Sequence, residues 1–205
     1  MSRAFSDLAF TPTVRDWQAR QGSRAAYAKF DAPEAAPNDR LGEAEAAFVA
    51  ARDHFFMATV GETGWPYLQH RGGPVGFLRV LDPQTLGFAD YRGNRQYISA
   101  GNLQGNDRVS LFLLDSVQRR RLKLLGRARA VGPDEPDLLA QLVLPSTRAV
   151  VERGWVIRVE AWDWNCPQHI TPRYTAEEVA ALVDAAVERR VAEALSAGPG
   201  PRAAG

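Results

Sequence analysis

From Phe55 to Tyr91 the apolar residues come in short runs, FFMATV, WPYLQHR, FLRVL and LGFADY, separated by GETG, GGPVG and DPQT. Runs of this length bounded by Gly, Pro, Asp and Thr read as strands joined by tight turns, an antiparallel meander. VSLFLLD, RLKLLGRARAV and the alternating segment Trp155 to Trp164 continue it. A short helix is expected from about Asn94 to Leu103. Another is expected over Asp134 to Leu144, where Pro136 and acidic residues suit a helix start. Upstream, Leu41, Ala44, Phe48 and Ala51 form an apolar stripe opposite Glu43 and Glu45. Thr13 to Phe30 opens on a capping-box-like Thr13 and Asp16 and spaces Val14, Trp17 and Gln21 as a weakly apolar surface helix. Downstream, Thr175-Ala-Glu-Glu178 caps an amphipathic helix with Val179, Leu182, Val183, Ala186, Val187 and Val191 on one side. The tail GPGPRAAG is expected to be disordered.

Six or seven strands in hairpin order, interrupted by one helix, predict a mainly β fold, a small barrel with peripheral helices, and not βαβ units. The expected division is a helical extension over 1–53 packing on the barrel, the barrel over 54–167, a C-terminal helix over 168–197 and the tail over 198–205. No internal repeat is visible.

Composition narrows the function. The 205 residues carry 25 Lys+Arg against 24 Asp+Glu, a net charge of +1, so any electrostatic binding must come from a local cluster. Cys166 is the single cysteine, which excludes an intramolecular disulfide and any multi-thiolate metal site in one chain. No apolar run approaches the roughly 18 residues of a membrane span, and no secretory leader is evident. A soluble, cytoplasmic protein with no membrane or nucleic-acid partner is expected.

The most informative stretch is FADYRGNRQYISAGNL, Phe88 to Leu103. A strand ends at Tyr91, a turn holds Arg92 and Gly93, and a helix start then presents free amides beside Arg92 and Arg95, with Ser99 one turn on. That arrangement suits a phosphate. Upstream, QHRGG places Arg71 at a strand end, where a second guanidinium can reach the same anion. Solvated loop arginines fit the same spacing. A second basic cluster, RRRLKLLGRAR (Arg119 to Arg129), alternates Arg121 and Lys123 with core-directed Leu122 and Leu124. A plain basic strand face also fits, and the absence of interleaved aromatics weighs against RNA. Cys166-Pro-Gln-His169 has metal-like spacing, but the remaining histidines, His54 and His70, lie elsewhere, so no metal is expected. Trp155, Trp162 and Trp164 read as core or interface.

Taken in order, FFMATVGETGWPYLQHRGG, TLGFADYRGNRQYISAGNLQGNDRVSLFLLD and RRRLKLLGRAR resemble the pyridoxamine 5'-phosphate oxidase-like family of FMN-binding split barrels. The resemblance covers about Phe48 to Asn165. It implies a six-stranded antiparallel split barrel that forms a homodimer with FMN between subunits. It further implies that Arg71, Arg95 and Gln96 bind the FMN phosphate with help from Ser99, that Gln69 and His70 lie under the flavin ring, and that Asp90 and Tyr91 border the ribityl chain. Arg121 and Lys123 would face the pyrimidine edge, from the other subunit. The family's substrate-holding ending, with its Trp, Arg-x-His-like and Arg-Leu-Ser-Pro-like elements, is replaced here by EAWDWNCPQHITPRYTAEE. The expected function is therefore an FMN-dependent oxidoreductase with a small-molecule substrate or a donor such as NAD(P)H. The alternative is a non-catalytic flavin or haem carrier of the same fold.

Overall fold

A computed structural model describes residues 3–32 and 34–196; the tail expected to be disordered lies outside the described residues. The chain divides into two compact units, one holding Met1–Asp115 with Arg120–Pro167, the other Ser116–Arg119 with Gln168–Gly205.

The first unit is built on β1 (His54–Val60), β2 (Pro66–Gly72), β3 (Arg79–Asp82), β4 (Thr85–Tyr91), β5 (Arg108–Asp115), β6 (Arg120–Val131) and β7 (Val151–Asn165). These form one seven-stranded antiparallel sheet in the order β2-β1-β5-β6-β7-β4-β3, where six strands were expected. The order also departs from a simple meander. β1 skips to β5 and β4 to β7, because neighbours are chosen by which apolar faces close the core and not by chain proximity alone.

The sheet is open, with β2 and β3 at its edges, yet it curls around one core. Phe55 on β1 meets Phe88 on β4 edge-on, with ring centroids 5.3 Å apart, and stacks on Phe77 at 5.6 Å. Leu111, Leu113, Leu122, Leu124, Trp155 and Ile157 fill the remainder. Burying such side chains contributes roughly 1.5–3 kcal/mol each, which holds the curl without a closing ladder. β4 is buried on both faces because α6 (Pro136–Leu142) lies over it, with Leu142 packed against Gly87.

The expected helix over Thr13 to Phe30 is instead α2 (Pro12–Arg20), α3 (Arg24–Tyr27) and a 3-10 turn at Ala28–Phe30, preceded by α1 (Ala4–Ala9). Gly22 breaks it with φ +73°, a left-handed value glycine adopts without a Cβ clash. Asp31 ties the pieces together by ion pairs to Arg15 and Arg24. α4 (Glu43–Ala50) packs Phe48 and Val49 on the core, and its Glu45 accepts from the Gly42 amide and from the Trp164 indole. α5 (Ile98–Gly105) starts four residues later than the pattern suggested.

In the second unit, α7 (Ala176–Ser196) carries the expected capping box, Thr175 and Glu178 exchanging hydrogen bonds of 2.8 and 3.2 Å. Its stripe of Val179, Leu182, Val183, Val187 and Val191 is exposed. Among the described residues no helix is long and apolar enough to cross a membrane.

Candidate functional site

β1 and β2 pair so that Met57 faces Gln69 and Phe55 faces Arg71. Residues directly opposite share a sheet face, so Gln69 and Arg71 point the same way as the core residues beside them. Because β2 is an edge strand, these two polar side chains reach across the open seam toward β4. There Arg71 Nη1 donates to Asp90 Oδ1 at 2.6 Å, and its guanidinium lies 5.8 Å from the Phe88 ring. Side chains thus bridge the gap that no backbone ladder closes.

The seam opens into a cleft of about 290 Å³ lined by Gln69, Arg71, Asp90, Tyr91, Arg95, Gln96, Ser99 and Glu152, among others. Seven of the ten sequence-expected site residues meet here: Gln69, Arg71, Asp90, Tyr91, Arg95, Gln96 and Ser99. The loop before α5 is strained, with Arg95 at φ 60° and Tyr97 at φ 53°. Left-handed backbone at two non-glycine residues costs on the order of 1–2 kcal/mol each and persists where other contacts over-determine it. Asn94 accepts from the Gln96 amide at 3.2 Å, and no side chain caps α5, which leaves its first amides facing the cleft.

Two donors in the cleft have nothing to bind. Ser99 is 3% exposed and its Oγ has no hydrogen-bond partner; the buried Nε of Arg71 has none either. A buried orphan donor costs about 1–3 kcal/mol, so a pair of them beside a helix start marks a place shaped for an acceptor.

The pairing of Asp90 with Arg153 across β4 and β7 brings in residues that the sequence reading missed. Arg153 Nε lies 3.5 Å from Asp90 Oδ2, its Nη2 donates to Glu152 at 3.2 Å, and its guanidinium sits 5.2 Å from the Tyr97 ring. Glu152 also accepts from Arg92 Nε at 2.9 Å and from the Tyr97 hydroxyl at 3.2 Å, and the Arg92 bond holds its carboxyl below the usual range. The only sequence signal was a Glu-Arg pair at a strand start, and nothing local says that β7 lies against β4. Arg71 and Arg95 line the cleft with Asp90 and Glu152, while Arg92 and Arg153 lie outside its lining and pair with the same two carboxylates, so the group counts four arginines against two acids. Two positive charges are left over, the complement of a phosphate monoester, which carries nearly −2 above its second pKa near 6.

The other three expected residues do not line this cleft, although His70 lines an adjoining pocket with Gln69, Arg71, Asp90 and Tyr91. His70 is turned to the outer face of β2, stacked on His54 at 5.6 Å, while Asp53 binds His54 Nδ1 at 2.5 Å. Arg121 and Lys123 project from β6 away from Leu122 and Leu124. Lys123 pairs with Asp163 at 3.0 Å and lies 4.6 Å from the Phe5 ring; Arg121 donates to the Cys166 carbonyl at 2.9 Å and keeps a buried, unpartnered Nε. Among the described residues no group of three or more His, Cys, Asp or Glu is placed to hold a metal.

The sequence model of pyridoxamine 5'-phosphate oxidase matches residues 41–162, more than half of the 205 residues and the whole span from α4 through most of β7. The chain belongs to the pyridoxamine 5'-phosphate oxidase family. Among curated proteins no sequence matches it. Similar solved structures include a putative pyridoxamine 5'-phosphate oxidase from Lactobacillus delbrueckii, 20% identical, covering 61% of this chain and 94% of that one with a TM-score of 0.48. HupZ of Group A Streptococcus is 14% identical over 65% of this chain and 99% of its own, with a TM-score of 0.47. An F420 reductase is 17% identical over 60% and 98%, with a TM-score of 0.44. At such similarity the assignment rests on the sequence match, which places this fold in a flavin-related oxidoreductase family.

Proposed function

We propose that the seam cleft holds the phosphate of FMN and that the chain is an FMN-dependent oxidoreductase acting on a small molecule. The observation that carries this reading is the pair of buried, unpartnered donors, Arg71 Nε and Ser99 Oγ, beside uncapped amides in a cleft whose two carboxylates are already engaged by arginines. When bound, FMN supplies hydride transfer at its N5. The protein's part is to bind, orient and charge-match. Arg71, Arg95 and Gln96 hold the phosphate with Ser99, while Asp90 fixes the Arg71 guanidinium at 2.6 Å. Asp90 and Tyr91 border the ribityl chain and Gln69 supports the ring, while His70, on the other face of β2, reaches only the adjoining pocket. Its volume of about 290 Å³ is at the small end for ligand sites, so the cleft suits the phosphate end while the ring lies beyond it.

The reading requires a homodimer. Arg121 and Lys123 do not line this cleft, so their positive charge reaches a flavin only from a second subunit. β2 leaves an unpaired edge, and Trp65 and Leu68 are exposed at its start, surface that a second copy covers. The family match ends at residue 162, at the start of the segment that departs from the family's substrate-holding ending. Negligible oxidation of pyridoxamine 5'-phosphate is therefore expected, with reduction by a nicotinamide or another small donor in a cytoplasmic setting.

The absorption spectrum of the purified protein with added FMN, read beside sedimentation, is the test. A yellow, flavin-loaded dimer supports the proposal. A colourless protein that takes up no FMN, a Soret band, or a fully loaded monomer overturns it.

A further inference from the structure

A second cavity, about 310 Å³, lies between the N-terminal helices and the outer face of β6 and β7, and shares only Lys123 with the residues of the flavin reading. One wall is aromatic. Phe10 meets Tyr27 edge-on at 5.6 Å, Tyr27 meets Phe30 at 5.8 Å, and Phe5 lines the same space. The opposite wall is polar, because Lys123 and Asp163 are direct cross-strand partners and Asn165 follows on the same face.

The charges do not cancel. Arg3 Nη2 and Lys123 Nζ both lie 3.0 Å from Asp163, one from each side, so a single carboxylate serves two cations. Among the described residues no other acidic side chain lines the cavity, which leaves their charges with one positive in surplus. The two cations are also held in place, Arg3 over the Phe30 ring at 4.7 Å and Lys123 over Phe5 at 4.6 Å, so little side-chain entropy remains to be lost on binding. Ser6 spends its hydroxyl on the Arg3 and Phe30 carbonyls, which ties α1 to the turn that carries Phe30 and keeps the cavity preformed.

We propose that this cavity binds a planar aromatic monoanion, an arene carboxylate, with the ring against Phe10, Tyr27 and Phe30 and the carboxylate toward Arg3 and Lys123. An aromatic wall stacks on any flat ring, while one net positive charge selects against dianions, whose second charge would go unmatched.

The test is calorimetric titration of the full chain with 1-naphthoate and, as a neutral counterpart, 1-naphthamide. Naphthoate is expected to bind at one site per chain. Tyr27→Ala removes a half-exposed ring and should weaken both ligands by about fivefold, the worth of an aromatic pair. Lys123→Gln should weaken naphthoate by about tenfold, the worth of a charge-assisted hydrogen bond, and leave naphthamide unchanged. Wild-type melting temperatures for both variants show that the fold is intact; if Lys123→Gln melts early, Arg3→Gln is read instead. Equal loss of both ligands in the lysine or arginine variant, no loss in Tyr27→Ala, or displacement of naphthoate by FMN overturns the proposal. The last result would make the cavity part of the flavin site.

Discussion

At the seam, Arg71 gives one bond to Asp90 and keeps a buried Nε with no acceptor; on β6, Lys123, Arg127 and Arg129 each meet a carboxylate, from Asp163, Asp107 and Glu135. The two segments look alike as sequence, each a basic run near a strand end. The difference is in what the fold leaves over. On β6 most of the positive charge is answered by neighbouring acids, and such exposed pairs are worth about 0–1 kcal/mol. At the seam, Arg71, Arg92 and Arg153 share two carboxylates, Arg95 donates to the Tyr97 hydroxyl, and a buried serine waits beside them. The proposed site is picked out by unanswered donors and not by the number of arginines.

The largest effect should come from Arg71→Ala. It removes the closest partner of the buried Asp90 and should lower the stability of the apo protein by about 3 kcal/mol in chemical denaturation, the lower end for breaking a buried pair, since Arg153 stays nearby. A loss under about 1 kcal/mol would mean that the seam bridge is a surface pair. Arg95→Ala, on an exposed loop, should barely touch stability but weaken FMN by about 1.5–3 kcal/mol and riboflavin hardly at all. Equal loss of the two ligands would move the phosphate away from Arg95.

Arg121 blurs the contrast, because its Nε is buried without an acceptor even though it lies on β6. If it meets the ring from a second subunit, Arg121→Ala should weaken FMN and riboflavin alike by about 1 kcal/mol, as read by flavin fluorescence titration. Selective loss of FMN would place Arg121 at the phosphate and dissolve the distinction. Arg127→Ala should change stability by no more than about 0.5 kcal/mol and leave both flavins unaffected.

The last effect is confined to acid pH. Hydrogen bonding from Arg92, then Tyr97 and Arg153, holds Glu152 below its ordinary value. A carboxylate depressed on folding contributes stability that is fully present above its unfolded pKa and is lost as pH falls through the folded one. Stability curves of wild type and Glu152→Gln should therefore have the same shape at neutral pH and diverge in slope below about pH 4.5, near the ordinary glutamate value. Parallel curves throughout that range would show that Glu152 is free in solution.

Much of this protein was legible along the chain because it is written locally. Alternation around Phe55, Met57, Leu122 and Leu124 set the strand faces; Thr175 and Glu178 announced the last helix; and the run ending at Ser99 announced residues that line the seam cleft before any partner strand was known. These signals depend on residues within a few positions of one another, where spacing alone decides which side chains share a face. What only the tertiary structure decided depends on pairings between distant segments. Besides its hairpin partner β2, β1 pairs with β5, and β4 joins β7, so Arg153 and Glu152 come near Asp90 from 63 and 62 residues away in the chain. The helix expected over Thr13 to Phe30 broke at Gly22, and its pieces folded over Lys123, turning a basic strand face into the wall of a cavity. Periodicity shows that a face will be covered; only the closing of the core determines by what.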